Sequence, residues 1–327
     1  MPELSVVIPC YNEADNIESL ITRFGPLLSR LPSCELIFVN DGSRDQTGDR
    51  VRALATRSNL SCAIRLVELS KNFGHQKALL AGMRAARGAA CVTIDADLQD
   101  PPELIVEMVS QWRAGYEVVL GQRLERRSDS FLKRGSATLF YKMMSYLTNG
   151  DFPPHVGDFR LVSRRVLDIL VNLPERSLYW RGLVIWVGYK RTLVQYERQP
   201  RHAGESHYPF FKMVLLALDA VFSFSKQPLY LSSIVGIMTS FVSLVLIGVH
   251  IFLKITGAKV FVPGWMSMMA VMTFLGGLQL FCLGIVGQYV GRIFDQVIDR
   301  PQVLSYEPEE IRSETVSSPS AKVVGLK

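Results

Sequence analysis

Ala90-Cys-Val-Thr-Ile-Asp-Ala-Asp-Leu-Gln-Asp-Pro-Pro102 decides how this chain folds. Its apolar run, 90–94, is too short for a helix and reads as a buried strand. Two carboxylates follow at alternate positions, and the paired prolines open a helix over 102–114. A strand that breaks into a polar loop and then a helix is half of a βαβ unit. Asp95 and Asp97 share a side only while the backbone stays extended. Where the strand breaks into a loop, carboxylates at this spacing can meet one hard cation, which also binds diphosphate oxygens. Alone, Asp-x-Asp is weak evidence, because it is common in turns.

The same alternation extends outward. Strands are expected at 4–8, 35–39, 63–69 and 117–120, with helices at 13–29, 45–57 and 76–87 between them. That order predicts an α/β fold with a mostly parallel, Rossmann-like sheet and ligands at the strand C-terminal ends. The first strand ends in Ile8-Pro-Cys-Tyr-Asn-Glu13 and the second in Val39-Asn-Asp-Gly-Ser43, so polar and acidic groups converge on one sheet edge. Tyr11 can stack on a base, and Glu13 and Asp41 can accept hydrogen bonds from base N–H or ribose hydroxyls. Asn12 and Asp41-Gly-Ser43 serve equally well as helix caps and turn formers.

The chain has 327 residues, room for about two units of ordinary size. Its net charge of +6 suits a surface lying against anionic lipid or a site for phosphorylated substrates. No nucleic-acid signature accompanies that charge. Five scattered cysteines, an odd number without a C-x-x-C pair, argue against a disulfide framework and for a reducing compartment. No basic stretch and apolar core of a leader precede the first strand, so the first two hundred residues are expected to face the cytosol.

The last third is different. Residues 229–253 and 264–291 contain no Asp, Glu, Lys or Arg, and each is long enough to cross ~30 Å of hydrocarbon. The expected division is a catalytic domain over 1–205, an interfacial amphipathic helix over 206–228, two transmembrane helices joined by a connector at 254–263, and a tail over 292–327 that becomes disordered from about Ser305. Arg191, Arg198, Arg201, Lys212 and Lys226 before the hairpin, with Arg292 and Arg300 after it, outnumber Lys254 and Lys259 in the connector. The positive-inside rule then puts both flanks in the cytoplasm. Gly284, Gly287 and Gly291 permit close helix approach, within the hairpin or between copies in a homo-oligomer.

Taken together, Val7-Ile-Pro-Cys-Tyr-Asn-Glu13, Val39-Asn-Asp-Gly-Ser43, Asn72-Phe-Gly-His-Gln-Lys-Ala78 and Asp95-Ala-Asp-Leu-Gln-Asp-Pro-Pro102 resemble the family 2 glycosyltransferases of GT-A fold. The resemblance is greatest to the polyprenyl-phosphate branch, the bactoprenol glucosyltransferase and dolichyl-phosphate mannosyltransferase group. It runs to about Pro301, through the two-helix hairpin. It implies that Pro9, Tyr11, Asn12, Glu13, Asp41, Asp95 and Ala96 hold the nucleotide. Asp95 and Asp97 would carry Mg2+ or Mn2+, and Gln99 and Lys71 would lie on the diphosphate and sugar side. Many relatives have Asp at the position of Asn40, which leaves the role of residue 40 open.

Gly157-Asp-Phe-Arg-Leu161 corresponds to the family's acceptor-side motif and makes Asp158 a catalytic candidate with Asp97; read locally, it is an acid at the start of a strand. Arg198, Arg201 and Ser206, with Arg123, Lys133 and Arg134, would bind the lipid phosphate, because guanidinium groups grip phosphate bidentately. A plain basic, membrane-facing surface competes with that reading. His207 stands where relatives usually carry Lys.

What the resemblance implies is an inverting, metal-dependent enzyme at the cell (inner or plasma) membrane. It would move a hexose, glucose favoured, from a UDP-linked donor to a polyprenyl phosphate on the cytoplasmic face, for cell-envelope glycan or glycolipid modification. A polysaccharide synthase resembles it in the first hundred residues, but adds a Gln-x-x-Arg-Trp motif and more spans; here there is only Tyr179-Trp-Arg181. A non-catalytic membrane adaptor or flippase partner is a third reading, against which the intact Asp95, Asp97 and Asp158 speak.

Overall fold

The computed structural model of the chain describes residues 2–31, 33–57, 62–124, 153–176, 178–197, 227–256, 264–298, 300–311 and 323–326. Lys133, Arg134, Arg198, Arg201 and Ser206 lie outside the described residues, as do the interfacial segment up to 226 and most of the connector. The chain forms two compact units, Met1–Tyr208 with Asp299–Lys327, and Pro209–Ile298.

In the first unit the short apolar runs become β1 (Leu4–Cys10), β2 (Cys34–Asn40), β3 (Ala63–Glu68) and β4 (Ala90–Thr93). Every residue of β1 and β4 is buried, as a strand covered on both faces requires. Between them come α1 (Ala14–Leu28), α2 (Thr47–Arg57) and α3 (His75–Ala85). Ile17, Leu20, Ile21, Phe24 and Leu28 give α1 one buried stripe at helical spacing, each worth about 1.5–3 kcal/mol on burial. Gly82 lets α3 lie close on the sheet, because a Cβ there would meet Val7 Cγ1 at 2.3 Å.

A turn of 3-10 helix at Pro102–Leu104 leads into α4 (Ile105–Arg113), followed by β5 (Val118–Arg123), β6 (Val156–Ser163), α5 (Arg164–Val171), α6 (Trp180–Trp186) and β7 (Arg191–Tyr196). The strands order as β7-β5-β6-β4-β1-β2-β3-β9, with β9 at Glu309–Ile311. β1, β2, β3 and β4 are parallel, as expected from the alternation, and β5 pairs in parallel with β7. β6 runs antiparallel between β4 and β5, which brings its N-terminal end to the edge where the parallel strands end.

The expectation of a disordered tail from about Ser305 is corrected for the described residues 305–311 and 323–326. β8 (Val303–Tyr306) pairs antiparallel with β10 (Val323–Leu326), Ser305 bridges Leu69, and β9 pairs antiparallel with β3. Val303 and Ser305 are 0% and 2% exposed, so a polar segment is folded by ladder hydrogen bonds and two inward side chains. Arg52 ties it down with ion pairs to Glu68 at 2.6 Å and Glu309 at 2.9 Å.

The second unit contains α7 (Gln227–Ile255) and α8 (Trp265–Val297), the latter continuing past Gly291 where the uncharged span was expected to end. Both are long and apolar enough to cross a membrane, with mean hydropathies of 2.0 and 1.6 over their most apolar segments. Ile237, Phe241, Phe274 and Leu280 are each more than half exposed, unlike the side chains of a core helix.

Candidate active site

β4 and β6 are registered with Thr93 opposite Arg160, and Thr93 Oγ1 donates to the Asp158 carbonyl. Continuing that register past the end of β4 places Asp95 across from Asp158. A third side chain joins them. His75 Nε2 lies 3.5 Å from Asp95 Oδ1 and 3.7 Å from Asp158 Oδ2.

His75 opens α3, and Asp41 sets the loop before it by accepting the N–H groups of Phe73 at 2.7 Å and Gly74 at 3.0 Å. Gly42, at φ +62°, allows the β2 and β3 loops to touch: a Cβ there would sit 2.4 Å from the Lys71 carbonyl carbon. Asn12, also in the left-handed region at φ +55°, staples the β1 loop to the β2 loop. Its N–H donates to Ser43 Oγ at 3.0 Å and its side-chain oxygen accepts from the Arg44 N–H at 2.9 Å.

These loops enclose a pocket of about 250 Å3 lined by Pro9, Tyr11, Glu13, Asp41, Asp95, Ala96 and Asp97, all expected from the sequence, together with Cys10, Asn72, Gly74, His75 and Ala78. Tyr11 is 41% exposed at this pocket. Burial and the nearby carboxylates Glu13, Asp45 and Asp95 push the Cys10 thiol up, which disfavours its thiolate. Leu98 takes φ +57° with its side chain buried, and this backbone, costing about 1–3 kcal/mol, turns the chain between Asp97 and Gln99. Gln99 contributes through its backbone, donating its N–H to Asp97 Oδ1 at 3.1 Å, and its side chain does not line the pocket. Lys71 is exposed and stacks over Phe73, outside the pocket lining.

The electrostatics divide the two facing carboxylates. Asp95 is pushed up to about 6 by burial and by Asp158, Asp100 and Asp97, against the pull of His75. Its Oδ1 is buried without a hydrogen-bond donor. Asp158 goes the other way. Burial pushes it up, but His75, Arg160 and Arg181 outweigh that and hold its carboxyl well below the usual range. Arg160 and Arg181 both donate to Asp158, the latter from Nη2 to Oδ2 at 2.8 Å. Arg123 is held by Asp100 and by Tyr196, whose hydroxyl donates to Asp100 at 2.6 Å.

His75, Arg160, Arg181, Asp100 and Tyr196 did not emerge as site residues from the sequence. His75 stood inside the quoted Asn72–Ala78 segment, and Arg181 inside Tyr179-Trp-Arg181, so the signal was present for both. Among the described residues, no three His, Cys, Asp or Glu side chains form a ready metal cage.

The model of glycosyl transferase family 2 matches residues 5–170. A Synechocystis protein bearing the name of an uncharacterized glycosyltransferase is 43% identical over 92% of this chain and 94% of its own. A prophage-derived bactoprenol glucosyl transferase of Shigella flexneri is 36% identical over 92% of this chain and 97% of its own. Among solved structures, glucosyl-3-phosphoglycerate synthase from Mycobacterium tuberculosis, bound to Mn2+, uridine diphosphate and phosphoglyceric acid, superposes with a TM-score of 0.50. It is 22% identical and covers 68% of this chain and 76% of its own, a likeness of fold.

Proposed function

The chain belongs to glycosyl transferase family 2, and from that membership we propose that it transfers a hexose, glucose favoured, from a UDP-linked donor to a polyprenyl phosphate, with inversion at the anomeric carbon. The observation that carries this reading is the placement of Asp95 and Asp158 on either side of His75, with Asp95 and His75 lining the same pocket as Tyr11, Glu13 and Asp41. The name of the Shigella relative supports the glucose and the lipid acceptor.

In this reading the nucleotide occupies the pocket, with Tyr11 against the base. Asp41 shapes the Phe73–His75 loop with both carboxylate oxygens and keeps lone pairs for a base or ribose donor. Asp95 and Asp97 would hold a divalent cation, Mg2+ or Mn2+. The fit rests on Asp95 Oδ1, a buried carboxylate oxygen that accepts no hydrogen bond, on a carboxyl raised by burial and by three neighbouring acids. Two carboxylates without a full cage suit a hard cation that takes its other ligands from diphosphate and water. When bound, such a cation supplies positive charge where the nucleoside diphosphate departs.

Asp158 is a poor proton acceptor while the His75 hydrogen bond and the guanidinium groups of Arg160 and Arg181 hold its carboxyl well below the usual range. None is needed, because a phosphate monoester, with a second pKa of about 6, is already an anionic nucleophile near neutral pH. The task of this chain is then alignment and electrostatic stabilisation. The apolar helices α7 and α8 would anchor it beside its lipid substrate, with the basic flanks in the cytoplasm.

Incubating membranes that contain the protein with a panel of nucleotide sugars and a polyprenyl phosphate tests the reaction: one donor should yield a sugar phosphate lipid of inverted anomeric configuration, abolished by chelator. No product with any donor defeats the reading. Cysteine labelling from outside intact cells should reach a Cys placed at Ala258 and miss one at Ser128; the reverse would place the catalytic unit on the other face.

A further inference from the structure

Asp158 is gripped by two guanidinium groups of unequal accessibility. The Arg160 side chain is 3% exposed and comes from β6 itself, two residues along. The Arg181 side chain, from the first turn of α6, is 39% exposed. Asp158 thus faces two permanent cations, with the carboxylate of Asp95 also acting on both, and of the two guanidinium groups Arg181 is the one that reaches solvent. Its donation to Asp158 uses one N–H of the five that a guanidinium carries. Arg123, the other arginine near this edge, is taken up by Asp100 and Tyr196.

An anion arriving beside Asp158 would be repelled by a bare carboxylate and attracted by one that presents a guanidinium. Arginine offers planar, forked donors that match phosphate oxygens, whereas a lysine would offer a point charge. We propose that Arg181 binds the phosphate monoester of the acceptor with the N–H groups not given to Asp158, and that Asp158 holds that guanidinium in place. This rests on the glycosyl-transfer reading above. It makes Asp158 a positioning residue, and it assigns acceptor recognition to a side chain outside the basic segments at 123–134 and 198–206.

The test uses the full chain in lipid nanodiscs, with the active donor and a polyprenyl phosphate. Arg181→Gln should raise the acceptor KM at least about 10-fold and lower kcat, while affinity for the nucleoside diphosphate, measured separately by calorimetry, stays within about 2-fold. Arg181→Lys, which keeps the charge but loses the fork, should fall between. A short-chain prenyl phosphate should inhibit the wild type competitively against the acceptor and lose that effect in Arg181→Gln. The double variant Asp158→Asn/Arg181→Gln separates binding from charge neutralisation, because a neutralising role predicts recovery over Arg181→Gln and phosphate binding predicts none. An unchanged acceptor KM, recovery in the double variant, or an equal loss of nucleoside diphosphate affinity overturns the proposal. Absence of transfer to polyprenyl phosphate by the wild type would instead remove the reading on which it stands.

Discussion

Asp95, just past the end of β4, and Asp158, near the start of β6, flank one side chain: the same nitrogen of His75 stands within 3.7 Å of both. Although they share a site, their environments differ. Asp95 lies near three other acids and has a buried oxygen without a donor, whereas Asp158 is saturated by cations. Separation of two facing carboxylates in this way divides their roles: one is suited to receive a cation, the other to remain ionised and orient its partners.

Asp158→Asn should cut turnover about 100-fold or more, a loss of ~2.7 kcal/mol of transition-state stabilisation, with donor affinity nearly unchanged. Removing the charge also leaves Arg160 buried without its counter-ion, so the melting temperature should fall; loss of one partner of a buried pair costs about 3–5 kcal/mol. The acid limb of the wild-type pH–rate profile should follow the phosphate acceptor near its second pKa of about 6. A limb that vanishes in the Asn variant, measured with saturating donor, would restore Asp158 as a general base.

Asp95 gives a prediction readable without turnover. Its folded pKa of about 6 lies above the ordinary 3.8, so the folded state binds the proton more tightly than the unfolded state does. Ionising Asp95 therefore costs stability as pH rises from 3.8 to about 6, and the whole cost is present above that. At pH ~7.5, Asp95→Asn should melt a few degrees higher than wild type in chelator, at roughly 2–4 °C per kcal/mol, and the gap should close near pH ~4. Added Mn2+ or Mg2+ should raise the wild-type midpoint and leave the variant unmoved. Equal cation response in both proteins would take the metal away from Asp95.

What the sequence made legible was local. β1 to β5, and the acids and Tyr11 at their ends, follow from apolar runs a few residues long and the loops that stop them. The partnership of Asp95 with Asp158 was not legible, because it depends on β6 entering antiparallel between β4 and β5 from far along the chain. Local periodicity says nothing about which strand a segment joins. Arg160 and Arg181 stood inside quoted segments, Gly157–Leu161 and Tyr179–Arg181, but local spacing does not show that both turn to Asp158. The tail misled through composition, since two buried positions in β8 are too few to stand out among Glu, Ser and Pro.

Gly42→Ala should damage the pocket at the strand ends without touching a functional group. The substitution adds strain at φ +62° and drives a methyl group to 2.4 Å from the Lys71 backbone, which cannot swing away as a side chain can. The β2 and β3 loops must then separate, and the Asp41 bonds to Phe73 and Gly74 lengthen with them. A cost of about 1–3 kcal/mol is expected in thermal unfolding, with weaker nucleoside diphosphate binding by calorimetry. Unaltered binding would mean that the two loops do not need this contact to form the pocket.

The folded tail carries the last prediction. The Ser70 N–H donates to the Leu304 carbonyl at 2.9 Å, Leu69 bridges Ser305, and the Lys71–His75 loop begins at the next residue. Residues beyond the second apolar helix therefore brace the loop that carries His75 into the site. A chain ended after Gln302 keeps α7 and α8 but loses β8, β9 and β10, leaving the β3 edge unpaired and Arg52 with Glu68 but without Glu309. Nucleoside diphosphate affinity should fall about 10-fold, or ~1.4 kcal/mol, and the melting temperature should drop with it. Glu309→Gln, which removes one partly exposed ion pair and keeps the strand pairing, should cost at most about 1 kcal/mol. That contrast separates the backbone brace from its charges: if the truncated chain binds nucleotide as tightly as the full one, the loop holds its shape unaided and the tail is only a cover for the sheet edge.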